Sequence, residues 1–507
     1  MRDYNRGLIK QIEDLTKENE ELRSENKELR AENREMRQRI NALEKSIEEK
    51  ITKAVERATA PLKERIKQLE AENERKGTEI LRLKAQINKD SSNSSKPPAT
   101  NGYKKIPNNR ESSGKKQGGQ FGHKGCKLNI PENLDELVTS GIAEHIILTE
   151  VAEGEAYVSD WIVDIKVIVT YTEHRRKPGK PPKIEYGPQI KVIAVYLCII
   201  GLMTYKRLTQ FFHELSHNLI TVSKAALAEF NRNAADAINL EPYVHDLLNG
   251  RVINVDETPI KTTERPGESG ALETAEKTTF NAYIRTYSNN TTTILTANPY
   301  KTEESVVMDN ILTQFHGIIS QDHESKFYNF GNKHATCGAH LTRELKGMFD
   351  LQLLEWAADV RWFFLEMNRH KNEDVHNNII ACEPIFLRFY ETRYDELVEK
   401  GRLQLTTIPP KSFGYDELRR MVNRLEKHKD NYLLFIRDYE APFTNNLAER
   451  DLRHCKTKQK VSGCFRSWQG VLDYCKIRSF LATAKKRGEN LLVALAGLGN
   501  ISSPAGQ

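Results

Sequence analysis

Along the N-terminal segment the apolar positions keep a fixed beat. Leu8, Leu15, Leu22, Leu29, Met36 and Leu43 stand seven residues apart, and Ile12, Asn19, Asn26, Asn33 and Ile40 each follow four residues behind one of the first five. Two such interleaved series predict a coiled coil over residues 1–89. A seam Asn costs stability but fixes register and favours two parallel strands. The flanking charges agree: Glu18, Glu25 and Glu32 would face, in turn, the partner's Arg23, the partner's Arg30 and the partner's Arg37. Each exposed pair contributes roughly a few tenths of a kcal/mol, and all three have the sign a parallel homodimer needs. Pro61 is expected to interrupt the rod, after which Leu62, Ile66, Leu69, Asn73, Ile80, Leu83 and Ile87 resume the seam. A single solvated helix is the alternative.

The pattern then changes several times. Residues 90–130 are rich in Ser, Asn, Gly, Pro and Lys and predict a flexible basic linker. Its Asn93-Ser-Ser-Lys-Pro-Pro98 string cannot continue a helix, and its Gly-rich element at 118–125 would lay backbone amides and Lys124 along phosphates. Residues 131–187 alternate apolar and polar in places, as in Trp161–Val169, and predict a small β-rich module. Residues 188–245 read as helical. Arg207–Leu215, a turn near Ser216–Asn218 and Thr221–Phe230 resemble a helix-turn-helix, with Ser223 and Lys224 where recognition residues reach base edges; plain helix packing is the other reading. From 251, Arg251–Ile260, Phe280–Tyr287 and Thr291–Thr296 predict three strands of an antiparallel meander. Glu303–Phe315 predicts a helix, and Gly317–Asp322 a strand returning beside the first. Leu341–Leu351, Leu354–Arg369, Ile379–Lys400 and Tyr415–Arg437 predict helices across 337–440, and another helix starts near Asn445.

Length, hydropathy and charge narrow the class. At 507 residues the chain is too long for one core. Mean hydropathy is −0.62, and the longest apolar run, Val192 to Met203, is too short to span a bilayer. The charged N-terminus has no signal-peptide core, and seven scattered cysteines fit a reducing cytoplasm. No membrane partner is expected. Net charge is only +6, yet residues 91–130 carry a local net of +7 and residues 450–487 a local net of +9. Two basic segments in a near-neutral chain point to phosphate contacts.

Three acids carry the candidate chemistry. Asp256 ends a β-branched run, Asp322 ends another apolar run, and Glu449 sits at the start of an amphipathic helix. Carboxylates at strand ends with a third on a later helix can converge on two divalent cations, and hard oxygen ligands suit Mg²⁺ or Mn²⁺. Such a pair activates a water or a 3′-hydroxyl and steadies the leaving oxygen in phosphodiester displacement. Each acid taken alone is also an ordinary cap or turn residue.

The words around these acids decide between the two. Asp-Glu-Thr-Pro at 256–259, Cys-Gly-Ala-His at 337–340 followed by Arg343, and Asn-Asn-Leu-Ala-Glu-Arg-Asp-Leu-Arg at 445–453 resemble the DDE transposases of the insertion-sequence-66 family. Asn93–Pro98, Gly118–Gly125 and the Ser479…Thr483-Ala-Lys485 helix extend the resemblance over nearly the whole chain. It implies a multidomain α+β protein: an N-terminal coiled coil (1–89), a basic linker (90–130), a small module at the family's zinc-ribbon position (131–187), a helical DNA-binding region (188–245) and a ribonuclease-H-like core in two parts (246–336 and 441–507) split by an α-helical insertion (337–440). It also implies Asp256, Asp322 and Glu449 as the catalytic, metal-binding triad with two Mg²⁺ or Mn²⁺ ions. His340, Arg343, Asn446, Arg450, Arg453, Lys456, Lys224 and Lys124 fall where DNA contacts or active-site support would lie, and Asn445 with Asn446 where a helix cap would. The implied partners are element-end and target DNA, a second copy through the coil, and accessory proteins encoded by the same element, in a cytoplasmic, nucleoid-associated setting. In one respect the chain departs from the family: no cysteine lies between Cys126 and Cys198. The His123/Cys126 and Cys337/His340 pairs each offer two groups where zinc needs four, so no zinc is expected. An inactive DNA-binding relative, or a ribonuclease-H-like nuclease without strand transfer, fits the same residues.

Overall fold

The computed structural model describes residues 2–90, 93–94, 128–148, 151–152, 155–156, 158–175, 177, 183–264, 279–410 and 412–499. Residues 1–88 form one compact unit and 89–507 another. The first is a single helix, α1 (Arg2–Asn88), with Pro61 inside it. The expected break at Pro61 does not occur. The proline removes one backbone bond and costs about 3 kcal/mol, but the strong helix formers on both sides carry the helix through. Ion pairs one turn apart, such as Lys76–Glu72 at 2.7 Å, run along it. The seam leucines are exposed on the single chain, Leu15 at 59% and Leu43 at 62%.

After α1 the chain is tied down sooner than a flexible linker would be. Asn93 and Ser94 are buried, and a Cβ at Gly347 would overlap the Asn93 carbonyl. Lys124, His123, Cys126, the Gly-rich element and the rest of the Asn93–Pro98 string lie outside the described residues. The β-rich module expected at 131–187 is not formed among the described residues. They hold one short helix, α2 (Leu134–Thr139), and no strand. Ile162, Ile165 and Ile168 stay largely exposed: alternation without a partner strand leaves an extended chain, not a sheet.

The sheet forms from 252 onward. Its strands are β1 (Val252–Thr262), β2 (Phe280–Ser288), β3 (Thr293–Asn298), β4 (Ile318–Gln321) and β5 (Lys333–Thr336), in the order β3-β2-β1-β4-β5. The first three pair antiparallel, while β4 and β5 run parallel to β1. The short strand β5 was not legible in the sequence pattern. The helix expected from Glu303 to Phe315 stops early as α7 (Glu303–Asp309), because Asn310 turns left-handed (φ 53°) before a short 3₁₀ turn.

Both faces of the sheet are covered. On one, Ile253, Val255, Tyr287 and Ile319 pack with Leu247 of α6 (Glu241–Leu248) and Val306 of α7. On the other, Ile260, Ile284 and Leu295 share a core with α3 (Pro188–Ile199), α4 (Tyr205–Leu215), α5 (Lys224–Ala237) and the C-terminal helices α13 (Asn446–Ser462), α14 (Trp468–Lys486) and α15 (Leu491–Ala496). Ser479 and Thr483 of α14 bond the backbone of edge strand β3 at Leu295 and Thr293, at 2.8 and 3.0 Å. That closes groups an edge strand would leave open.

Residues 338–437 make helices α8 (Gly338–Gln352), α9 (Glu355–His376), α10 (Pro384–Thr407), α11 (Tyr415–Lys427) and α12 (Lys429–Arg437), with a core of their own around Trp356, Phe364, Tyr394 and Leu433. The single helix expected at 415–437 divides at His428. No helix among the described residues is long and apolar enough to cross a membrane.

Candidate active site

Alternation along β1 sends its adjacent acids to opposite faces. Glu257 turns into a fully buried cluster, where Arg285 Nη2 lies 2.6 Å from it, Lys326 Nζ 3.0 Å, and Asp309 binds the other arm of the same guanidinium. Two cations meet three carboxylates there, Glu324 lying 3.2 Å from Lys326 on its outer side, with Tyr287 donating to Asp309 at 2.6 Å. Asp256 turns the other way, towards α13.

The sheet register sets the second acid. β1 and β4 pair Val252 with Ile318 and Asn254 with Ser320, and the same offset puts Asp322 beside Asp256, one residue past the end of β4. The β4–β5 register, Gln321 with Thr336, continues to Asp322 beside Cys337. One row across three strands therefore holds Asp256, Asp322 and Cys337. The third acid, Glu449, lies in the first turn of α13, which packs on β1 and β2 through buried Ala448 and Leu452. The same sheet-facing side is anchored by Asp451, which accepts from Ser288, Thr293 and Lys486 at 2.7–2.8 Å.

Asn445 was expected to cap α13 but its side chain makes no cap bond. Fully buried, it donates instead to Val255 O at 2.8 Å and to Asp322 Oδ1 at 3.2 Å. His340, in the first turn of α8, reaches between the acids, with Nδ1 3.3 Å from Asp322 Oδ1 and 3.7 Å from Glu449 Oε1. The α8 N-terminus is held close by Gly338, whose N–H donates to Phe443 O at 2.7 Å and whose missing Cβ leaves room for the Phe443 ring.

Electrostatics report how crowded this place is. Burial, then the neighbouring Asp322, pushes the Asp256 carboxyl up to about 7, against the Glu257 N–H and Lys456. For His340, burial works against the imidazolium, but the Asp322 carboxylate and the Cys337 thiol beside the ring outweigh it and raise it to about 10. Glu449 Oε1 is buried without a hydrogen-bond donor. A buried carboxylate oxygen without a donor is costly unless a cation completes it, so the donor set fits a divalent metal. Asp322, Cys337, His340 and Glu449 place one ligand atom each within 4.8 Å of one another.

The supporting residues divide. Arg453, Lys456 and Lys460 share the Glu449 face of α13 at helical spacing and are exposed, as are Arg450 and Asn446. Arg343 is half-buried one turn past His340 on α8. Lys224 is exposed at the start of α5, remote in sequence from this row, while the Ser223 hydroxyl caps that helix at Ala226 N, 3.1 Å away. Eight residues, 216–223, join α4 to α5, and α5 is tied to α14 by Arg232–Asp473 at 2.9 Å. Sequence reasoning missed the Asn445 side chain, the place of Cys337 in the row, and Asp451. Only the Asn-Asn and Cys-x-x-His words hinted at the first two.

Comparison with known proteins meets this geometry. Over 177 residues the chain is 33% identical to "Uncharacterized protein y4jO" of Sinorhizobium fredii, covering 34% of this chain and 49% of that one. The chain thus spans about half the length of that curated relative. Residues 183–472 match the family model described as "Transposase IS66 family", a stretch that takes in the whole sheet, all three acids and the helices between them. With more than half of its length inside that match, the chain belongs to the IS66 family of transposases.

Proposed function

We propose that this chain cuts and joins DNA by a DDE mechanism at the ends of an insertion sequence. The observation that carries it is the row Asp256–Asp322 on adjacent strands with Glu449 brought over it by α13. The strand order, with three antiparallel strands and two parallel ones beyond β1, supports a ribonuclease-H-like core, and the separate core of α8–α12 supports a helical insertion within it.

Asp256, Asp322 and Glu449 would hold two Mg²⁺ or Mn²⁺ ions. Bound there, such ions supply activation of water or a 3′-hydroxyl and stabilisation of the leaving oxygen. The chain's own residues do the rest. Asn445 fixes the Asp322 carboxylate from behind, and burial, then the neighbouring Asp322, pushes the Asp256 carboxyl up to about 7, so a bound cation would favour its ionised form. Arg453, Lys456 and Lys460 form a cationic stripe leading from Glu449, suited to holding the phosphodiester backbone in line. Lys224 and the α4–α5 pair are the proposed outlying DNA contact, and the basic segment before residue 130, with Lys124, a further one. The exposed seam of α1 is the proposed homodimer contact, bringing two active sites to two DNA ends in a cytoplasmic, nucleoid-associated complex with the element's accessory proteins.

The test is cleavage and strand transfer on DNA carrying the element's terminal repeats. Asp256→Ala, Asp322→Ala and Glu449→Ala should each abolish both steps while leaving DNA binding intact. A variant that keeps near-normal cleavage refutes the triad, and cleavage without joined product points to a plain nuclease.

A further inference from the structure

The Ser479…Thr483-Ala-Lys485 stretch of α14 presents two faces, and the sheet uses one of them. Ser479 and Thr483 turn to β3. Arg478 and Lys485, seven residues apart, share instead the face that Tyr474 turns to α13, where its hydroxyl meets His454 Nδ1 at 3.0 Å. Lys458, one turn past His454 on α13, stands with its Nζ 5.5 Å from the centre of the Tyr474 ring. We propose that Arg478, Lys458 and Lys485 together bind a DNA backbone phosphate away from the scissile one. The proposal rests on the reading above that the chain acts on DNA, and adds a second place where the backbone is held.

No acid on these two helices is left to balance the cluster. Asp451 is engaged by Lys486, and Asp473 by Arg232. The remaining one, Glu449, stands with Arg453, Lys456 and Lys460, about 150° around α13 from His454 and Lys458 at 3.6 residues per turn. Arg478 Nε is shut off from water without an acceptor, although the residue as a whole is only half-buried. A buried guanidinium nitrogen left open is costly, and an anion arriving from the solvent side completes it. The histidine among these cations reports the same field. Burial first and Arg478 next hold His454 down at about 4, against the Ile200 carbonyl, with Lys458 and Lys485 acting in the same direction as Arg478. A phosphate fits such a place, because two of its oxygens match the guanidinium fork while its charge draws the two lysines. With the Arg453 stripe on the same helix leading DNA away from Glu449, the anion within reach is a further phosphate of that backbone.

Anisotropy of a labelled duplex of unrelated sequence, titrated with the full-length protein over a KCl series, tests this. Arg478→Gln and Lys485→Gln should each lower the slope of log affinity against log salt by about 1, and the two together by about 2. These losses should add to that of replacing Arg453, Lys456 and Lys460, since the two groups hold different phosphates. Arg478→Lys, which keeps the charge without the fork, should keep the slope. Circular dichroism and thermal melts should match the wild type. Lys485 is exposed, so its variant reads the contact even where Arg478→Gln disturbs packing. Unchanged slopes in both Gln variants overturn the proposal. So does calorimetry in which inorganic phosphate binds and requires Arg478 while the DNA slopes stay unchanged, the result of a pocket for free anions. If the wild type cuts and joins element ends alongside unchanged slopes, the proposed function stands and only this contact falls.

Discussion

Asn445 donates its side-chain amide to an Asp322 carboxylate oxygen at 3.2 Å, although 123 residues separate the two. The same nitrogen also reaches Val255 O at 2.8 Å, next to Asp256. One buried amide thus holds the end of β4, the middle of β1 and the start of α13 in a single arrangement, and it presents the Asp322 carboxylate from a fixed direction.

Removing that amide should therefore loosen the acids without touching DNA. Asn445→Ala is expected to lower single-turnover cleavage by about 10–100-fold and to raise the Mn²⁺ concentration needed for half-maximal rate, with DNA affinity unchanged. Asn445→Asp, which sets a further carboxylate against Asp322, should be worse still. Cleavage measured across a Mn²⁺ series checks both.

Asp256 gives the metal-free protein a pH dependence. Its carboxyl is pushed up to about 7 from 3.8, by burial first and by Asp322 next. The folded state therefore keeps a proton that the unfolded chain has lost, so this group's stability is full below about pH 4 and drains away as pH rises to about 7. Asp256→Asn cannot charge. It should leave the melting temperature little changed near pH ~4 and raise it by a few degrees near pH ~8. Saturating Mg²⁺ should stabilise the wild type more than the variant. Thermal melts at the two pH values, with and without Mg²⁺, decide it.

The exposed face of α13 should govern the electrostatic part of DNA binding. If Arg453, Lys456 and Lys460 each neutralise a phosphate, replacing all three by Ala lowers the slope of log affinity against log salt by about 2–3. The effect should be equal on specific and unrelated DNA. Binding measured over a salt series is the check, and an unchanged slope would remove this stripe from the interface.

Arg285 offers a contrast between structure and chemistry. It is fully buried between Glu257 and Asp309, and Arg285→Met would leave Asp309 without a cation and Glu257 with Lys326 alone. A loss of about 3–5 kcal/mol in denaturant unfolding is expected. Replacing Glu257 by Gln in the same chain should recover part of it, because the two sites are coupled.

The seam of α1 predicts its own assembly. Residues 1–89 alone should sediment as a parallel dimer, with Asn19, Asn26 and Asn33 paired across the axis. Changing all three to Ile should raise the melting temperature and shift the assembly towards trimers or tetramers. Terminal cysteines should crosslink like ends; crosslinking only between opposite ends would rule out the parallel arrangement.

How much of this was legible in one dimension follows from the range of the forces involved. The heptad beat of α1, the three meander strands, the helical run beyond Cys337 and the three acids with their neighbouring words are local signals: side-chain period and short spacing, which a chain carries before it folds. Even there local rules misjudged balances. Pro61 looked like a break and was absorbed by the helix around it. The alternating stretch 161–169 looked like strands and found no partner among the described residues. What only tertiary structure decided is which groups meet. Adjacent Asp256 and Glu257 part because a strand's faces alternate, and the buried Arg285 claims the second. Cys337 and His340 looked like half a metal site until parallel pairing brought Asp322 beside the thiol and helix packing brought Glu449 to the ring. Sheet register joins Asp256 to Asp322 across 66 positions, and packing of α13 joins Asn445 to Asp322 across 123; no spacing in the sequence records either.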